Sequence, residues 1–427
     1  MPAQTKLQSP SVNADSGEDK TEAEISTIRV SLASNTTDYP IHIGSGCLAD
    51  AKTLLAPLFT NGTPSKIIII ADAHKAVKAI ADRLARSLTA IRTPSASDTI
   101  YIEYVAGGEA SKSFASYHAL AEKLLSRGID RQAAIIAIGG GVVGDLAGFL
   151  AATLLRGVAL IHIPTTLLAQ ADSAIGGKTG INSRHGKNLV GAFYQPKAVV
   201  IDPDCLATLS PREMLAGYAE IVKYGLLGDA GFFAWCVKNG KAVLNRDPAP
   251  LRHAISKAVA MKAAIVMADV HEAMQITQTI QTGQAGQIAK SKSRALLNLG
   301  HSFAHAFEAE ATYDSSILHG EAVAAGMMCA LALSSRLGFM EKEVGVAVEQ
   351  HLAAVGLPVW HKQLSPKLAS CDPDGLIAHI RRDKKAHAGK LSFVLMRDIG
   401  DAFIAPDIDE ESVRRILSAN NYNEAVA

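Results

Sequence analysis

The stretch that most constrains the fold is residues 133–157, AAIIAIGGGVVGDLAGFLAATLLRG. An apolar, strand-like run ends in Gly139, Gly140 and Gly141, and a helical pattern follows. Glycines at a strand-to-helix turn let the backbone approach a ligand closely, and the helix N-terminus that follows favours an anion. Because a tight turn without a ligand has the same pattern, the nucleotide interpretation depends on the rest of the chain.

Apolar runs alternate with helical patterns on both sides of this turn. The strand-like runs are STIRVSLAS and YPIHIGSG, which predict a hairpin, then KIIIIAD (66–72), TIYIEYV, AAIIAIGG, VALIHIP (158–164) and AVVIDPD (198–204). Strands that alternate with helices predict a mostly parallel sheet with helices on both faces.

Helical patterns dominate the chain after residue 203. They cover 211–227, 250–270, 296–311, 319–337 and 342–355, and one late hairpin is predicted within 390–404. We therefore expect an α/β nucleotide-binding domain over 27–202, a mainly α-helical domain for metal and substrate over 203–427, and a cleft between them.

Two segments stand apart from these patterns. Residues 1–26 are polar and rich in Ser, Asp, Glu and Lys, which predicts a disordered N-terminal extension. Residues 273–292 are rich in Gln, Thr and Gly and interrupt the helical pattern, which predicts an inserted loop.

Composition narrows the class of partner. The 42 basic and 41 acidic side chains nearly cancel, which argues against nucleic-acid binding but allows a small basic pocket for a phosphorylated substrate. The five cysteines form no CxxC pair, as expected for thiols in a reducing compartment. The sequence has neither a signal-peptide pattern nor a stretch apolar enough for a bilayer, so we expect a cytoplasmic protein with no membrane partner.

A carboxylate and two imidazoles form the candidate metal site. Glu220 lies in GYAEIVKYG, His301 begins HSFAH with His305 one turn later, and His319 begins a further helix. Two histidines and a carboxylate suit a catalytic Zn²⁺ with an open position. HSFAH lacks the Glu of HExxH, which argues against a metalloprotease, and each histidine alone could be a surface or core residue.

Cationic and amide side chains form a second candidate group. Lys178 and Asn188 are expected in Gly-rich turns, and Lys223 and Lys262 in helices with mostly apolar neighbours. The full group is Lys178, Lys187, Asn188, Lys223, Lys262, Arg294, Lys384 and Lys385. Converging cations would bind phosphate and carboxylate, whereas dispersed ones would be solvated charges.

Two aspartates have two interpretations each. Asp145, after the glycine turn, could bind a nucleotide or cap the N-terminus of its helix. Asp72, at the end of KIIIIAD, could bind a ribose hydroxyl or cap the next helix. Without a GxSxG motif, a Ser-His-Asp triad has no support.

Several separated motifs resemble one family. GGGVVGDLAGFLAATLLRGV, IPTTLLAQADSAIGGKTGIN, GKNLVGAFYQP, REMLAGYAEIVKYG, RALLNLGHSFAHAFEAE and LHGEAVAAGM occur in the same order as in 3-dehydroquinate synthases, and the likeness runs from about 28 to about 405. The resemblance implies a two-domain sugar-phosphate cyclase, usually a homodimer, that uses NAD⁺ and a divalent metal, usually Zn²⁺ or Co²⁺.

The resemblance also implies a reaction. The family converts 3-deoxy-D-arabino-heptulosonate 7-phosphate into 3-dehydroquinate and phosphate in the shikimate pathway of aromatic amino-acid biosynthesis. The route is transient NAD-dependent oxidation, β-elimination of phosphate, reduction and intramolecular aldol cyclisation, so that NAD⁺ is regenerated.

The resemblance assigns roles to individual residues. The metal ligands are Glu220, His301 and His319. The NAD contacts are Asp72, Glu109, Lys112, Gly140, Gly141, Val142, Asp145, Thr165, Thr166, Asp172, Lys178, Lys187 and Thr208. The catalytic and substrate contacts are Lys178, Asn188, Lys223, Lys262, Arg294, Asn298 and His305, with Asp172 near the nicotinamide, Arg156 crossing the dimer interface, and Lys384 or Lys385.

One departure from the family affects this assignment. Ala268–Glu272 (ADVHE) fits an acidic stretch of the family and places Glu272 at its active-site glutamate. In the family that stretch runs almost directly into RALLN, whereas here 273–292 intervenes before Arg294. We expect this segment to bulge outward so that Glu272 and Arg294 can enter one pocket.

Three other functions share parts of the pattern. A cyclase making 2-deoxy-scyllo-inosose or an epi-valiolone would share the NAD and metal motifs and would differ at pocket positions such as Lys262 and Arg294. A metal-dependent alcohol dehydrogenase would produce net NADH. A non-catalytic binding protein would keep the fold without releasing phosphate.

Overall fold

The structure is a computed structural model that describes most of the chain. The described residues are 25–30, 38–55, 64–89, 99–270, 293–312, 316–383 and 391–427. The predicted extension 1–26, apart from its last two residues, and the predicted loop 273–292 lie outside the described residues, as do Glu272, Lys384 and Lys385.

The strands form one large sheet and two hairpins. In chain order they are Ser26–Val30 (β1), Tyr39–Ile43 (β2), Ile67–Asp72 (β3), Ile100–Val105 (β4), Ala134–Gly139 (β5), Ala159–Pro164 (β6), Lys178–Ser183 (β7), Gly186–Phe193 (β8), Ala198–Ile201 (β9), Leu391–Asp398 (β10) and Asp401–Ile408 (β11). The seven-stranded sheet has the order β1-β2-β9-β6-β5-β3-β4, and its only antiparallel pair within the described residues is β1–β2. This arrangement confirms the mostly parallel sheet, the N-terminal hairpin and the late hairpin.

Fourteen α-helices occur in the described residues, and most follow the sheet in the chain. They are Ala51–Leu55 (α1), Lys75–Thr89 (α2), Phe114–Ser126 (α3), Gly141–Thr153 (α4), Pro211–Gly228 (α5), Ala230–Leu244 (α6), Pro248–Ala268 (α7), His301–Glu310 (α8), His319–Arg336 (α9), Lys342–Val355 (α10), Pro366–Ala369 (α11), Pro373–Asp383 (α12), Glu410–Ser418 (α13) and Tyr422–Val426 (α14). None of the described helices is both long enough and apolar enough to cross a bilayer.

The apolar strands are covered on both faces. Ile135 packs with α3 and α4 on one face, while the next residue, Ile136, packs with α1 and α2 on the other. Successive side chains of a strand point to opposite faces, so a strand buried on both sides is apolar throughout. This explains the unbroken apolar runs and confirms the prediction of helices on both faces.

The β7–β8 hairpin corrects one prediction. Lys178 and Asn188 were expected in Gly-rich turns, but Lys178 begins β7 and Asn188 lies within β8. The glycines here allow the two strands to lie close together. A Cβ on Gly191 would overlap the carbonyl oxygen of Thr179 on the paired strand. Glycine therefore marks a tight strand pair at this point rather than a bend.

Close helix packing brings α5, α8 and α9 together. A Cβ on Gly320 of α9 would overlap the Ala216 carbonyl oxygen of α5, and a Cβ on Gly326 would overlap the Gly300 carbonyl oxygen just before α8. Because glycine lacks a Cβ, the backbones can approach at these crossings. These two contacts fix where the first turns of α8 and α9 lie relative to α5.

Candidate active site and metal centre

A cleft of about 1460 Å³ lies along the carboxyl ends of the parallel strands. Asp72 ends β3, Gly140 and Gly141 follow β5, and Thr165 follows β6, and all four line the cleft. The facing wall comes from residues of α5, α7, α8 and α9. Ligands of open α/β sheets bind at this edge, so the cleft is the candidate active site.

Most of the predicted site residues line this one cleft. They are Asp72, Glu109, Lys112, Gly140, Gly141, Val142, Asp145, Thr165, Thr166, Asp172, Lys178, Lys187, Asn188, Thr208, Lys223, Lys262, Arg294, Asn298, His301, His305 and His319. Among the described residues, Glu220 lies buried behind this wall, and Arg156 is exposed outside the lining.

The glycine turn, Gly139–Gly141, forms a narrow cradle at the start of α4. Gly140 is the N-cap of α4. A Cβ on Gly140 would lie 3.1 Å from Thr166 Cγ2, and one on Gly141 would lie 3.0 Å from Ser173 Oγ. Side chains would therefore crowd this turn, whereas glycine leaves the first amides of α4 accessible to an anion.

Asp145 does not cap its helix, so that alternative was wrong. It lies a full turn inside α4, where its side chain pairs with Lys112, and Lys112 also donates a hydrogen bond to Asn188 Oδ1. Burial raises the pKa of Asp145, and the Lys112 charge opposes that rise. Lys112 is buried, with 4% of its surface exposed. Its contacts with Asp145 and Asn188 join α4 to the β7–β8 hairpin.

Asp72 has a local contact as well as a place in the cleft. Its Oδ1 accepts a hydrogen bond of 2.8 Å from the His74 amide at the turn before α2. A Cβ on Gly107 would lie 3.3 Å from Asp72 Oδ2, so the loop after β4 passes close to this carboxylate. The side chain is therefore fixed at the edge of the sheet while it lines the cleft.

Glu220, His301 and His319, here called the Glu–His–His cluster, meet in the helical wall of the cleft, which we call the cluster end to distinguish it from the glycine-turn end. Glu220 Oε1 lies 3.6 Å from His301 Nε2 and 3.5 Å from His319 Nε2. One potential ligand atom from each residue lies within 4.8 Å of the other two. Three N and O donors converging at this separation fit a single divalent cation with room for a further ligand.

The outer contacts of the two histidines orient their rings. His301 Nδ1 lies 3.2 Å from the Leu299 carbonyl oxygen, and His319 Nδ1 lies 3.3 Å from Glu308 Oε1. A carbonyl or carboxylate oxygen can only accept, so each Nδ1 carries a proton in these bonds. Each Nε2 then faces Glu220, which is the ring orientation found in metal-ligating histidines.

Charge within the cluster favours a cation. Burial would raise the pKa of Glu220, but the Lys223 ammonium, 2.5 Å from Oε2, and the two histidines lower it to about 2. Burial and Lys223 lower the pKa of His301 to about 3. Against burial, Glu308 and Glu220 raise the pKa of His319 to about 10, so a cation must displace a proton from that ring.

A second polar group surrounds Asp172. This residue lies on a π-helical turn, Ala169–Ser173, and its Oδ1 is 2.5 Å from Tyr224 Oη and 2.8 Å from Lys262 Nζ. Burial opposes ionisation, but the Lys262 and Lys223 charges hold the pKa of Asp172 well below its usual range. Burial lowers the pKa of Lys262 to about 8, with Asp172 opposing that shift.

The side chain of Arg294 is held mainly by backbone carbonyl groups. It is 1% exposed, and its guanidinium donates to the Gly176 carbonyl at 2.8 Å and to the Val270 carbonyl at 2.9 Å. The guanidinium carbon lies 5.3 Å from the centre of the Phe193 ring, which belongs to β8. These contacts fix the cation in the wall of the cleft, between α7 and the β7–β8 hairpin.

Two residues of the site escaped the sequence analysis. Glu308 contacts a cluster histidine, and Tyr224 contacts Asp172. Their spacing could have indicated them: Glu308 is seven residues after His301 and Tyr224 four after Glu220, so each shares a helix face with a predicted site residue.

The chain matches the models of one family over most of its length. The model described as 3-dehydroquinate synthase N-terminal matches residues 102–216. The model described as 3-dehydroquinate synthase C-terminal matches residues 217–284 and 285–386.

Curated and solved relatives agree with these matches. The 3-dehydroquinate synthase of Caulobacter vibrioides is 43% identical over 393 residues, which cover 92% of this chain and 98% of the relative. A 2-epi-5-epi-valiolone synthase from Streptomyces hygroscopicus, solved with NAD⁺ and Zn²⁺ bound, is 26% identical with a TM-score of 0.72 and covers 92% of this chain and 98% of that one. A 2-deoxy-scyllo-inosose synthase, solved with carbaglucose-6-phosphate, NAD⁺ and Co²⁺, is 24% identical with a TM-score of 0.72, covers 92% and 99%, and shares the fold.

Proposed function

The chain belongs to the 3-dehydroquinate synthase family, and on this premise we propose that it converts 3-deoxy-D-arabino-heptulosonate 7-phosphate into 3-dehydroquinate and phosphate. It is a carbon–oxygen lyase of the shikimate pathway. The structural observation that supports this most is that one cleft is lined both by the glycine turn and by His301 and His319 of the Glu–His–His cluster.

The cluster fits Zn²⁺ or Co²⁺. One carboxylate oxygen and two imidazole nitrogens suit either ion, and the Nδ1 contacts already present both Nε2 atoms to the centre. Glu220, His301 and His319 would hold the metal.

The other end of the cleft fits NAD. The glycine turn would accept the pyrophosphate on the amides of α4, and Asp72 would bind a ribose hydroxyl. Bound NAD would accept and return a hydride while the metal polarises the reacting hydroxyl, so no net redox change results. Asp172 lines the same cleft, and Tyr224 and Lys262 fix its carboxylate.

The chain's own side chains handle the charges of the substrate. Lys178, Lys262 and Arg294 line the cleft and supply positive charge for a phosphate and a carboxylate. His305, one turn beyond His301, lines the same wall and would face the substrate. Since phosphate elimination and ring closure need correct orientation above all, these residues act mainly by positioning.

In a homodimer, each cleft would receive one more residue from the second copy of the chain. Arg156 is exposed and has a left-handed backbone, with φ 66°, at the last position of the 3₁₀ turn Leu154–Arg156 that follows α4. We propose that it contributes to the cleft of a second copy. In that case Arg156→Ala would lower turnover while each chain keeps its own Glu–His–His cluster.

Phosphate release tests the proposal. The full chain, given NAD⁺, Zn²⁺ and the heptulosonate phosphate, is expected to release phosphate without accumulating NADH, and a chelator should abolish the release. Glucose 6-phosphate and sedoheptulose 7-phosphate serve as matched substrates. Preference for either would point to another cyclase, steady NADH growth to a dehydrogenase, and no turnover to a binding protein.

A further inference from the structure

Glu308 is a buried carboxylate to which neither the sequence analysis nor the reaction above gives a role. It lies on α8, one turn after His305, and is 5% exposed. A single oxygen, Oε1, lies 3.3 Å from His319 Nδ1 and 3.1 Å from Lys187 Nζ. Glu308 therefore joins the cluster to the β7–β8 hairpin.

The contact with His319 determines how that ring can bind a metal. Without an acceptor on Nδ1, the imidazole could rotate or carry its proton on Nε2, and the lone pair would no longer face Glu220. A carboxylate on the outer nitrogen of a metal-ligating histidine also makes the ring more basic as a ligand. His301 is oriented differently, by the Leu299 carbonyl oxygen of its own segment.

The contact with Lys187 determines the position of the carboxylate. Lys187 lies on β8, and its side chain is 22% exposed compared with 5% for Glu308. An ammonium that shares the oxygen with His319 restrains the carboxylate from rotating away. The sheet half of the molecule thereby stabilises a metal ligand of the helical half.

We propose that Glu308 is a positioning residue: it holds His319 with Nε2 toward the metal, and Lys187 holds Glu308 in place. The inference rests on the proposed function, because it concerns the same metal. A purely structural role is the alternative, and helix α8 offers a matched control. Glu310, two residues further on, pairs instead with Lys367 and His379.

The test measures metal binding without substrate. Metal-free full-length wild type and the variants Glu308→Ala, Glu308→Gln, Lys187→Met and Glu310→Ala are titrated with Zn²⁺ against a chromophoric chelator. We expect Glu308→Ala to weaken Zn²⁺ binding about 10–100-fold, the range typical for loss of such an outer contact. Glu308→Gln keeps an acceptor, so it and Lys187→Met should lose less, and Glu310→Ala should match the wild type.

The Co²⁺ form gives a spectroscopic readout. Its visible absorption depends on ligand geometry, so we expect an altered band in Glu308→Ala and an unaltered band in Glu310→Ala. Wild-type Zn²⁺ affinity and an unaltered Co²⁺ band in folded Glu308→Ala would overturn the inference. If that variant does not fold, Glu308→Met decides, because it keeps the length of the side chain without an oxygen acceptor: weakened binding supports the inference, and unchanged affinity overturns it.

The design separates this inference from the proposed reaction. A wild type that binds Zn²⁺ but releases no phosphate would refute the reaction, while the Zn²⁺ affinities of the variants would still decide the role of Glu308. A wild type that binds no divalent cation would overturn the inference itself.

Discussion

The glycine-turn end of the cleft and the cluster end differ in how far apart their residues lie in the chain. The glycine turn is one continuous strand–turn–helix segment, with β5 and α4 on either side. The cluster takes one residue from each of α5, α8 and α9. Local sequence is enough to build the first, whereas the second exists only once three helices have packed.

The two ends also hold their polar groups differently. The glycine turn offers backbone amides and has no charge of its own to neutralise. The cluster buries charges that depend on one another: Glu220 pairs with Lys223, and His319 contacts Glu308. Removing one member there leaves its partner buried and uncompensated, which costs far more than losing an exposed contact. Single substitutions should therefore have larger effects at the cluster than at the glycine turn.

The largest effect is expected for Glu220→Gln. The amide keeps the size of the side chain but removes the charge of the proposed metal ligand, which is also the counter-charge of Lys223. Because a catalytic metal supplies several kcal/mol of transition-state stabilisation, phosphate release should fall on the order of 10³-fold. Bound metal measured by elemental analysis should fall in parallel, whereas Glu310→Gln should keep both. Normal turnover in a metal-replete Glu220→Gln protein would refute the assignment.

Buried histidines should make stability depend on pH in both halves. Burial lowers the pKa of His162 on β6 and of His361 in the helical half to about 4. Between pH 6.5 and 4 the unfolded chain binds more protons at these sites, so stability falls as the pH falls through that window. Each site contributes about 3 kcal/mol at most.

Urea unfolding at several pH values checks this dependence. His361→Phe can keep the stacking on Phe307, whose ring centre is 5.3 Å from that of His361. We expect this variant to lose less stability than the wild type between pH 6.5 and 4. His118, exposed on α3, provides the control His118→Phe. An acid dependence identical in all three proteins would contradict burial of a neutral imidazole at His361.

Gly320→Ala tests whether close packing is what assembles the cluster. The added Cβ would overlap the Ala216 carbonyl oxygen and push α9 away from α5. Overpacking of this kind costs about 1–3 kcal/mol, so the urea midpoint should fall, and Zn²⁺ affinity should fall with it because His319 begins α9. In Gly228→Ala the Cβ would lie 3.6 Å from Met261 Cε, an ordinary contact, and no loss is expected.

The same contrast explains what the sequence could predict. The sheet, its covering helices and the glycine turn followed from apolar runs and glycines that are adjacent in the chain. The β7–β8 hairpin was missed because its glycine-rich sequence suggested turns at Lys178 and Asn188, whereas Gly180 and Gly191 face each other across two paired strands. Helix α6 was absent from the predicted helices; it contains Gly231 and Gly240, which lower helix propensity.

The sequence could predict those site residues that share a helix face with another site residue or that belong to a motif of the family. The spacing of Glu308 from His301 could have placed it on the correct helix face. Its contact with Lys187, 121 residues away, depends on how the hairpin packs against α8, which local sequence patterns do not contain. The positions of Glu272, Lys384 and Lys385 remain predictions from the resemblance.

The smallest effect is expected at the sheet end, from Asn182→Ala. Asn182 Nδ2 donates to Glu109 Oε1 at 2.8 Å, and Oδ1 accepts from the Asn188 amide at 3.0 Å, so this side chain joins the hairpin to the loop after β4. The bond from the Asn188 amide contributes about 0.5–1.5 kcal/mol, and the bond to the Glu109 carboxylate about 1.5–3 kcal/mol. Because Asn182 positions Glu109 and Asn188 but does not itself line the cleft, we expect less than about tenfold weaker NAD⁺ binding and unchanged Zn²⁺ affinity. Asn239→Ala, which removes a bond to the Trp235 carbonyl within α6, is the matched control. If Asn182→Ala instead weakened Zn²⁺ binding as much as Glu308→Ala, the two ends would be coupled through the hairpin, and the difference drawn between them would not hold.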